Sequence, residues 1–395
     1  MIDSAFIGGS IRSLWVRGNY AYIAGDRYCL RSFDITDPYN ITPVDSLRLN
    51  KNAFHLFIRG YYAYVSCWLG GLLTIDIRNP DSLVLTNIYD NGEYAHSSFI
   101  RKNTAFVAEC RHLSILDITD EENPVELGSV FIDAGDTRGV WVEGDYAYVA
   151  SSGGHGGLRV VNVSNLINPV LVGRADPILI GMPFFIKSRD PYVYVPTSPG
   201  YALYIFDVED ETNPYIVDSL SGLLNSSNVF IKNNYLFVAS YDSGLTAYTI
   251  LDPAHPQFAW RIGRRDVVDV FATSEYVYFI THHILDYNSY LFVIDFSETP
   301  IGEDEPSPEH LFILKNYPNP FNAQTTISYS LPETGPITLT IYNLLGQKVA
   351  TLFEGIQNAG EYNIVWDTDS MSSGVYFARL TSGDYTKTIN MALQK

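Results

Sequence analysis

The chain is poor in features that several protein classes require. It has three cysteines in 395 residues and 25 basic against 44 acidic residues. None of its apolar runs approaches the roughly 18 residues that span a bilayer, so no transmembrane segment is predicted. The net charge is −19 and no basic patch is concentrated anywhere, so nucleic acid is not an expected partner.

The cysteines, Cys29, Cys67 and Cys110, have no CxxC spacing, so neither a zinc site nor a disulfide framework is indicated. Their odd number leaves at least one thiol unpaired, and buried free thiols are expected.

One sequence unit, in contrast, recurs seven times. It has a short apolar strand and turn, an aromatic strand such as Tyr20-Ala-Tyr-Ile23, and a Leu-started strand followed by a Pro-containing turn. The third-strand ends are Asp34, Asp76, Asp117, Asn162, Asp207, Thr249 and Asp295, at intervals of 42, 41, 45, 45, 42 and 46 residues. This period suits a four-stranded blade, and strands apolar on both faces suit sheets covered by neighbours. The sequence therefore predicts an all-β fold, with a seven-bladed β-propeller over residues 1–300.

The two ends of the repeat region predict how the ring closes. The seventh unit lacks the outer strand that follows the Pro turn elsewhere, and residues 5–10, Ala-Phe-Ile-Gly-Gly-Ser, match that missing strand. The amino-terminal segment is therefore predicted to pair into the last blade. The repeated aspartates precede turns, where an Asx side chain caps its own backbone, so a structural role is predicted for them.

These units resemble the LVIVD family of propeller repeats, in which Tyr-Ala-Tyr-Val, Gly-Leu and Asp-Ile-Ser/Thr-Asp-Pro elements recur. The resemblance covers about residues 5–298, with Asn162 and Thr249 departing from the strand-end aspartate. It implies a bacterial or archaeal cell-surface propeller.

Residues 301–312 are acidic and contain two prolines, so they are predicted to form an extended linker. Residues 313–395 follow with alternating apolar and polar segments bounded by Gly, Pro and Asn turns. About seven short strands predict a small β-sandwich.

This tail resembles the type A C-terminal sorting domain of the type IX secretion system, an immunoglobulin-like relative of the flagellar hook-cap sandwich. The residues that carry the match are Asn316, Pro318, Pro320, Phe321, Gly346, Trp366, Gly374 and Tyr376. The resemblance implies presentation of the chain to the outer-membrane translocon as its partner, and a secreted or surface-attached product. In that family the domain is commonly removed afterwards, and the cargo is released or anchored to surface polysaccharide.

Cargo of this class first crosses the inner membrane with an amino-terminal signal peptide. Residues 1–16 show no basic segment followed by an apolar one. We therefore expect residues before Met1 to be missing, or the start to be misassigned.

Signatures of catalysis are missing from the repeats. There is no GxSxG, HExxH, P-loop or EF-hand loop, and no GxGxxG before a helix. Residues 153–157 are glycine-rich but lead into a predicted strand, so they lack the helix terminus that binds phosphate. No cofactor and no metal site are predicted.

One face of the predicted propeller collects the polar residues. The loops from each outer strand to the next inner strand, and those between second and third strands, open on that face. Arg12, Phe54, His96, Arg138 and Met182 are predicted to ring the mouth of the axial channel. The ligand-binding candidates are Arg12, His55, His96, His112, Arg138, His155, Asp269 and His282.

Three interpretations of this face stay open. In the first, its loops are only solvated. In the second, it binds a glycan, peptide or protein. In the third, it holds a metal or hydrolytic centre, since imidazoles ligate metals and exchange protons near neutral pH. Binding or adhesion is favoured, and an extracellular hydrolase or metal-dependent enzyme is the alternative.

Overall fold

The computed structural model describes residues 3–26, 28–49, 51–133, 135–152, 156–175, 182–183, 185–198, 202–283, 288–296, 314–317, 319–331, 335–344, 346–358, 360–368, 371–382 and 385–394. The chain divides into two compact units, Met1–Gly302 and Glu303–Lys395. The linker predicted at 301–312 lies outside the described residues. In the described part, the elements are strands apart from one short 3-10 turn, and no helix has the length and apolar character to cross a membrane.

The described part of the first unit forms seven antiparallel sheets, which we call blades 1 to 7. The amino-terminal strand is β1 (Asp3–Phe6). Blade 1 contains β2 (Ile11–Arg17), β3 (Tyr20–Gly25), β4 (Leu30–Asp34) and β5 (Thr42–Leu47). Blade 2 contains β6 (Ala53–Arg59), β7 (Tyr62–Cys67), β8 (Gly71–Asp76) and β9 (Val84–Tyr89), with the 3-10 turn Trp68–Gly70 between β7 and β8. Blade 3 contains β10 (Ala95–Arg101), β11 (Thr104–Glu109), β12 (His112–Asp117) and β13 (Val125–Phe131).

The remaining blades follow the same plan. Blade 4 contains β14 (Thr137–Glu143), β15 (Tyr146–Ser151), β16 (Gly157–Asn162) and β17 (Val170–Ala175). Blade 5 contains β18 (Met182–Pro183), β19 (Lys187–Arg189), β20 (Tyr192–Ser198), β21 (Ala202–Asp207) and β22 (Tyr215–Ser221), with β18 and β19 both paired to β20. Blade 6 contains β23 (Ser226–Lys232), β24 (Tyr235–Ser240), β25 (Gly244–Thr249) and β26 (Gln257–Ile262). Blade 7 contains β27 (Val267–Ala272), β28 (Tyr276–His282) and β29 (Ser289–Asp295), and its fourth strand is β1.

The arrangement is propeller-like, as the seven repeats predict. The first strands of successive blades contact each other around a central axis, and β2 lies against both β6 and β27. The second strand of a blade, such as β7, is buried on both faces, whereas the outer strand β9 is largely accessible. This gradient follows from the stacking, because neighbouring blades cover the inner strands on both sides.

The ring closes through the amino-terminal strand. β1 pairs antiparallel with β29, with Asp3 opposite Val293 and Phe6 opposite Tyr290. The N–H of Ile7 then donates to the carbonyl of Ser289 at 2.7 Å. The predicted pairing into the last blade is confirmed, although the strand covers 3–6 rather than 5–10.

The repeated strand-end residues cap turns, as predicted. A side-chain oxygen of Asp34 accepts the N–H of Thr36 at 2.8 Å, and Asp117 and Asn162 do the same two residues on, at 2.8 and 3.0 Å. Each carboxylate or amide is therefore engaged with its own blade.

Cys29 and Cys67 are buried free thiols, as expected, and the free thiol of Cys110 is half-buried.

The second unit contains seven strands in its described part, in the number that the tail sequence predicts. They are β30 (Leu314–Tyr317), β31 (Gln324–Leu331), β32 (Gly335–Asn343), β33 (Lys348–Gln357), β34 (Gly360–Asp367), β35 (Gly374–Ser382) and β36 (Tyr385–Leu393). One sheet has the order β30-β31-β34 and the other β33-β32-β35-β36. Both sheets contribute to one apolar core, in which Ile327, Leu339 and Leu380 are fully buried. The immunoglobulin-like assignment stays a prediction.

Candidate ligand-binding face and axial channel

Two sets of loops meet on one face of the propeller, which we call the loop face. In six blades, the residue at the end of the second strand or just after it donates its N–H to a carbonyl just before the first strand. The bonds run from Asp26 to Ser10, Trp68 to Asn52, Cys110 to Tyr94, Ser152 to Asp136, Tyr241 to Asn225 and His282 to Asp266, at 2.9–3.0 Å. These backbone hydrogen bonds join the two types of loop, as the strand order predicts.

The mouth of the channel is formed at a β-bulge that recurs in the inner strands. The register shifts between Ile11 and Ser13, and shifts occur at the equivalent places in five other blades. A bulge adds one unpaired residue and re-aims its side chain. The residues at the bulge, which we call the mouth layer, are Arg12, Phe54, His96, Arg138, Ser227 and Val268. Met182, which was predicted to join them, has a side chain outside the described residues.

Three of the predicted mouth residues contact one another in sequence around the ring. The guanidinium of Arg12 lies 4.9 Å from the centre of the Phe54 ring, and the Phe54 and His96 rings meet edge to face at 5.9 Å. Arg12 also pairs with Asp26 at 3.8 Å, and Arg138 pairs with Asp136 at 3.3 Å. The mouth therefore combines an aromatic ring with two cations, each balanced by a carboxylate.

His96 is buried within this layer, at 3% exposure. Among the described residues, neither of its ring nitrogens has a hydrogen-bond partner. Burial lowers the pKa of His96 to about 4, and the nearby charge of Arg138 lowers it as well. The imidazole is consequently neutral at physiological pH.

Phe54, Trp68 and Tyr94 form a row of aromatic rings beside the mouth, which we call the aromatic step. The sequence analysis does not predict it. The indole of Trp68 lies 6.1 Å from the Phe54 ring and 5.4 Å from the Tyr94 ring. Trp68 and Tyr94 are 39% and 37% exposed, although they belong to residue types that usually pack inside. Their positions in the repeat could have indicated this surface, because both residues lie in the two types of loop that open on the loop face.

The other predicted site residues occupy different depths. His55 and Asp269 lie within inner strands, one layer below the mouth, rather than in loops. His112 begins β12 and packs against Phe131 at 5.5 Å. His282 is buried and bonds the hydroxyl of Ser289 at 3.1 Å, and burial lowers its pKa. His155 lies outside the described residues.

The layer below the mouth is polar and binds neighbouring blades together. We call Ser13, His55, Ser97, Asn228 and Asp269 the polar layer. Backbone N–H groups of the next blade donate to it, from Leu56 to Ser13 at 3.2 Å and from Ser98 to His55 Nδ1 at 3.3 Å. Asn228 donates to Asp269, and burial raises the pKa of Asp269 to about 7.

A third layer lies beneath the polar layer. It consists of one residue from each blade, Trp15, Phe57, Phe99, Trp141, Lys187, Phe230 and Phe271, and we call it the aromatic layer. Each member contacts the next around the full circle, with separations of 4.2–5.9 Å between ring centres or from the Lys187 ammonium to a ring. The aromatic layer is therefore a continuous ring of partly accessible side chains.

The histidines do not form a metal site in the described part of the chain. No three His, Cys, Asp or Glu side chains there are grouped as metal ligands would be. The loop face offers aromatic surface and hydrogen-bonding groups, which suit noncovalent recognition.

The predicted sorting residues build the core of the second unit. Phe321, Trp366 and Tyr376 are buried, with ring centres 5.8 Å apart for the first pair and 5.3 Å for the second. The N–H of Phe321 donates to the carbonyl of Ala392 at 2.9 Å, which ties this segment to β36. Asn316 bonds Thr325 at 3.1 Å, and Pro318 lies outside the described residues.

The two predicted glycines of this unit lie in a turn and at the start of a strand. Gly346 has φ +75° and lies in the turn after β32, while Gly374 begins β35. Pro320 and Phe321 lead into β31. Phe321, Trp366 and Tyr376 therefore hold the core of the domain, whereas Pro320, Gly346 and Gly374 are exposed at its surface.

Comparison with known proteins matches the two units of the chain to different families. Residues 315–394 match the secretion system C-terminal sorting domain. Residues 8–42, 51–91, 134–176 and 225–262 match the LVIVD repeat, in blades 1, 2, 4 and 6. The chain is an exported β-propeller protein. More specifically, it carries LVIVD repeats folded as a propeller and a type IX sorting domain, which directs it to the secretion machinery and to a secreted or surface-attached location.

Solved structures share the propeller fold at low sequence identity. The designed protein Ika8 is 10% identical, with 73% of this chain and 98% of that one covered and a TM-score of 0.53. A chain of the mitotic checkpoint complex is 8% identical, with 74% and 93% covered and a TM-score of 0.59. A Bacteroides uniformis protein named provisionally as a 6-phosphogluconolactonase is 10% identical, with 71% and 96% covered and a TM-score of 0.58. No curated protein matches the chain. At these identities the likeness shows the fold alone.

Proposed function

We propose that the propeller is a noncovalent binding module of the exported protein, and that its ligand is an uncharged glycan. The observation that carries this proposal is the aromatic step formed by Phe54, Trp68 and Tyr94 beside the mouth of the channel. Exposed Trp and Tyr offer large rigid surfaces with a polar tip, and such residues dominate the energetics of recognition sites. The apolar face of a sugar ring packs well on surfaces of this kind.

The polar groups next to the step support a hydroxyl-rich ligand. Arg12 lies over Phe54 and carries N–H groups in a fixed fork, which can donate to sugar oxygens. Asp26 holds this guanidinium at 3.8 Å and offers an acceptor beside it. A site with donors and acceptors around an apolar surface matches the two-sided chemistry of a pyranose.

The charge of the surroundings disfavours polyanionic glycans. The chain has a net charge of −19, and from Asn316 onward it has only four basic against six acidic residues, so most of the negative charge lies in the propeller and linker. Asp90 and Glu93 are exposed immediately before Tyr94. A sulfated or highly acidic polymer would be repelled here.

The test is a glycan array with the full chain, followed by calorimetric titration of the ligands that bind. Trp68→Ala and Tyr94→Ala are expected to weaken binding about tenfold or more, as is common for central aromatic residues. The matched control is Tyr39→Ala, since Tyr39 is 68% exposed but lies in the turn before β5, away from the loop face. Equal losses in the control and in the step variants would contradict the proposal.

The same samples separate binding from catalysis. We expect the bound glycan to be recovered intact after prolonged incubation, as shown by mass spectrometry of the ligand. Shortened products that disappear in the His96→Ala variant would favour the hydrolase alternative instead.

A further inference from the structure

Blade 5 departs from the other six in the aromatic layer. Where they place an aromatic ring, it places Lys187, whose ammonium lies 4.2 Å from the centre of the Trp141 ring and 5.9 Å from that of Phe230. Within the described ranges, no carboxylate lies within ion-pair distance of this ammonium. Lys187 is partly buried, and a charge that is removed from water is costly unless something pairs with it.

The nearest acidic group inside the channel is already occupied. Asp269 acts on Lys187 only through space. Its Oδ2 accepts the N–H of Leu14 at 2.7 Å, and its Oδ1 accepts the N–H of Val270 at 2.7 Å and the amide of Asn228. Its oxygens are therefore engaged in joining blades 6, 7 and 1.

A small cavity lies next to the ammonium. It is lined by Lys187, His55, Ser97, Phe57, Phe99 and Trp141, among others, and its volume is about 10 Å³. A volume of this size holds about one water molecule or one ion of similar size.

The polar groups facing this cavity are donors. His55 Nδ1 accepts the N–H of Ser98 at 3.3 Å, so in the neutral ring the proton is on Nε2. Burial lowers the pKa of His55 to about 3, which keeps the ring in this neutral form. The Ser97 hydroxyl is 1% exposed and has no partner among the residues that the structure describes.

We propose that this cavity is a binding site for a small monovalent anion, chloride under physiological conditions. The Lys187 ammonium supplies the counter-charge, and the Ser97 hydroxyl and His55 Nε2–H supply hydrogen bonds. The anion balances the partly buried cation that blade 5 introduces into the ring. This site is separate from the glycan site, and its test does not depend on the outcome there.

The decisive experiment uses the native full chain. Crystals grown with bromide in place of chloride are expected to show an anomalous peak in the cavity, bonded to Lys187 Nζ. A position occupied by water only, with no anomalous signal, overturns the proposal. This measurement does not require any variant to fold.

Unfolding in solution gives a second test. At equal ionic strength, the Tm of the propeller is expected to be about 2–4 °C higher in sodium chloride than in sodium gluconate, because chloride binds only the folded state. Lys187→Met is expected to abolish this difference and Ser97→Ala to reduce it. Lys102→Met, at an exposed hairpin position, is the control and should keep the full shift. A chloride effect that is undiminished in Lys187→Met would overturn the proposal.

Discussion

The side chain of Asp269 joins the last blade to the first, since its Oδ2 accepts the N–H of Leu14 at 2.7 Å across 255 residues of sequence. The hydrogen bond supports the ring closure made at the outer edge by β1 and β29. Asp269 thus couples a buried titratable group to the integrity of the ring.

The pH dependence of stability is the first prediction. Burial raises the pKa of Asp269 from near 3.8 to about 7, so the folded chain holds this proton more tightly than the unfolded chain. The corresponding stability is complete below about pH 4 and is lost as the pH rises through 7, by up to about 4 kcal/mol. Asp269→Asn should therefore show a smaller decline in the free energy of unfolding between pH 4 and 7, measured by urea titration at each pH. An unchanged slope would show that Asp269 does not titrate in this range.

Acid destabilisation through His96 is the second prediction, with the opposite sign. Burial lowers the pKa of His96 to about 4, whereas an exposed histidine titrates near 6.5. The unfolded chain then takes up the proton first, so the stability due to neutral His96 is present above pH 6.5 and is lost as the pH falls to 4. His96→Gln should lose about 3 kcal/mol less than the native chain over this interval. An acid loss as large in His96→Gln as in the native chain would contradict this prediction.

The glycine that begins the third strand of blade 6 provides the third prediction. Gly244 has φ +80°, and a Cβ there would lie 2.1 Å from the carbonyl oxygen of Ile262 in the outer strand. Gly60 has φ +55° in a hairpin turn, with open space around a Cβ. Both Ala variants meet backbone strain of about 1–2 kcal/mol, but only Gly244→Ala must also displace the outer strand. Chemical denaturation should show the larger loss for Gly244→Ala, and equal losses would count against the close approach.

The fourth prediction concerns the sorting domain. Trp366 is 3% exposed and contacts Phe321 and Tyr376, whereas its neighbour Val365 is 58% exposed. Trp366→Ala is expected to destabilise this domain by about 3–5 kcal/mol and to reduce the exported fraction of the protein. Val365→Ala is the matched control, and immunoblots of cells and culture medium measure both. Normal export of Trp366→Ala would show that recognition does not require the intact core.

The blade period could be read from sequence because it depends on local chemistry. Tyr62-Ala-Tyr-Val65 and the Asx turn that begins at Asp76 form a strand and a turn wherever they occur. Arg12, Phe54, His96 and Arg138 share one offset from the repeat, and the structure places them at equivalent β-bulges. The aromatic step could not, because Trp68 and Tyr94 belong to different blades and meet only after the blades stack.

The sequence by itself determined the number of blades, the closing strand and the sorting domain, because each is specified by residues close together in the chain. Only the tertiary structure decided that Lys187 faces Trp141 and Phe230, and that His55 and Asp269 lie inside the channel. Residues more than 40 positions apart become neighbours there when the ring closes. Their burial then sets their charge state, which no local pattern encodes.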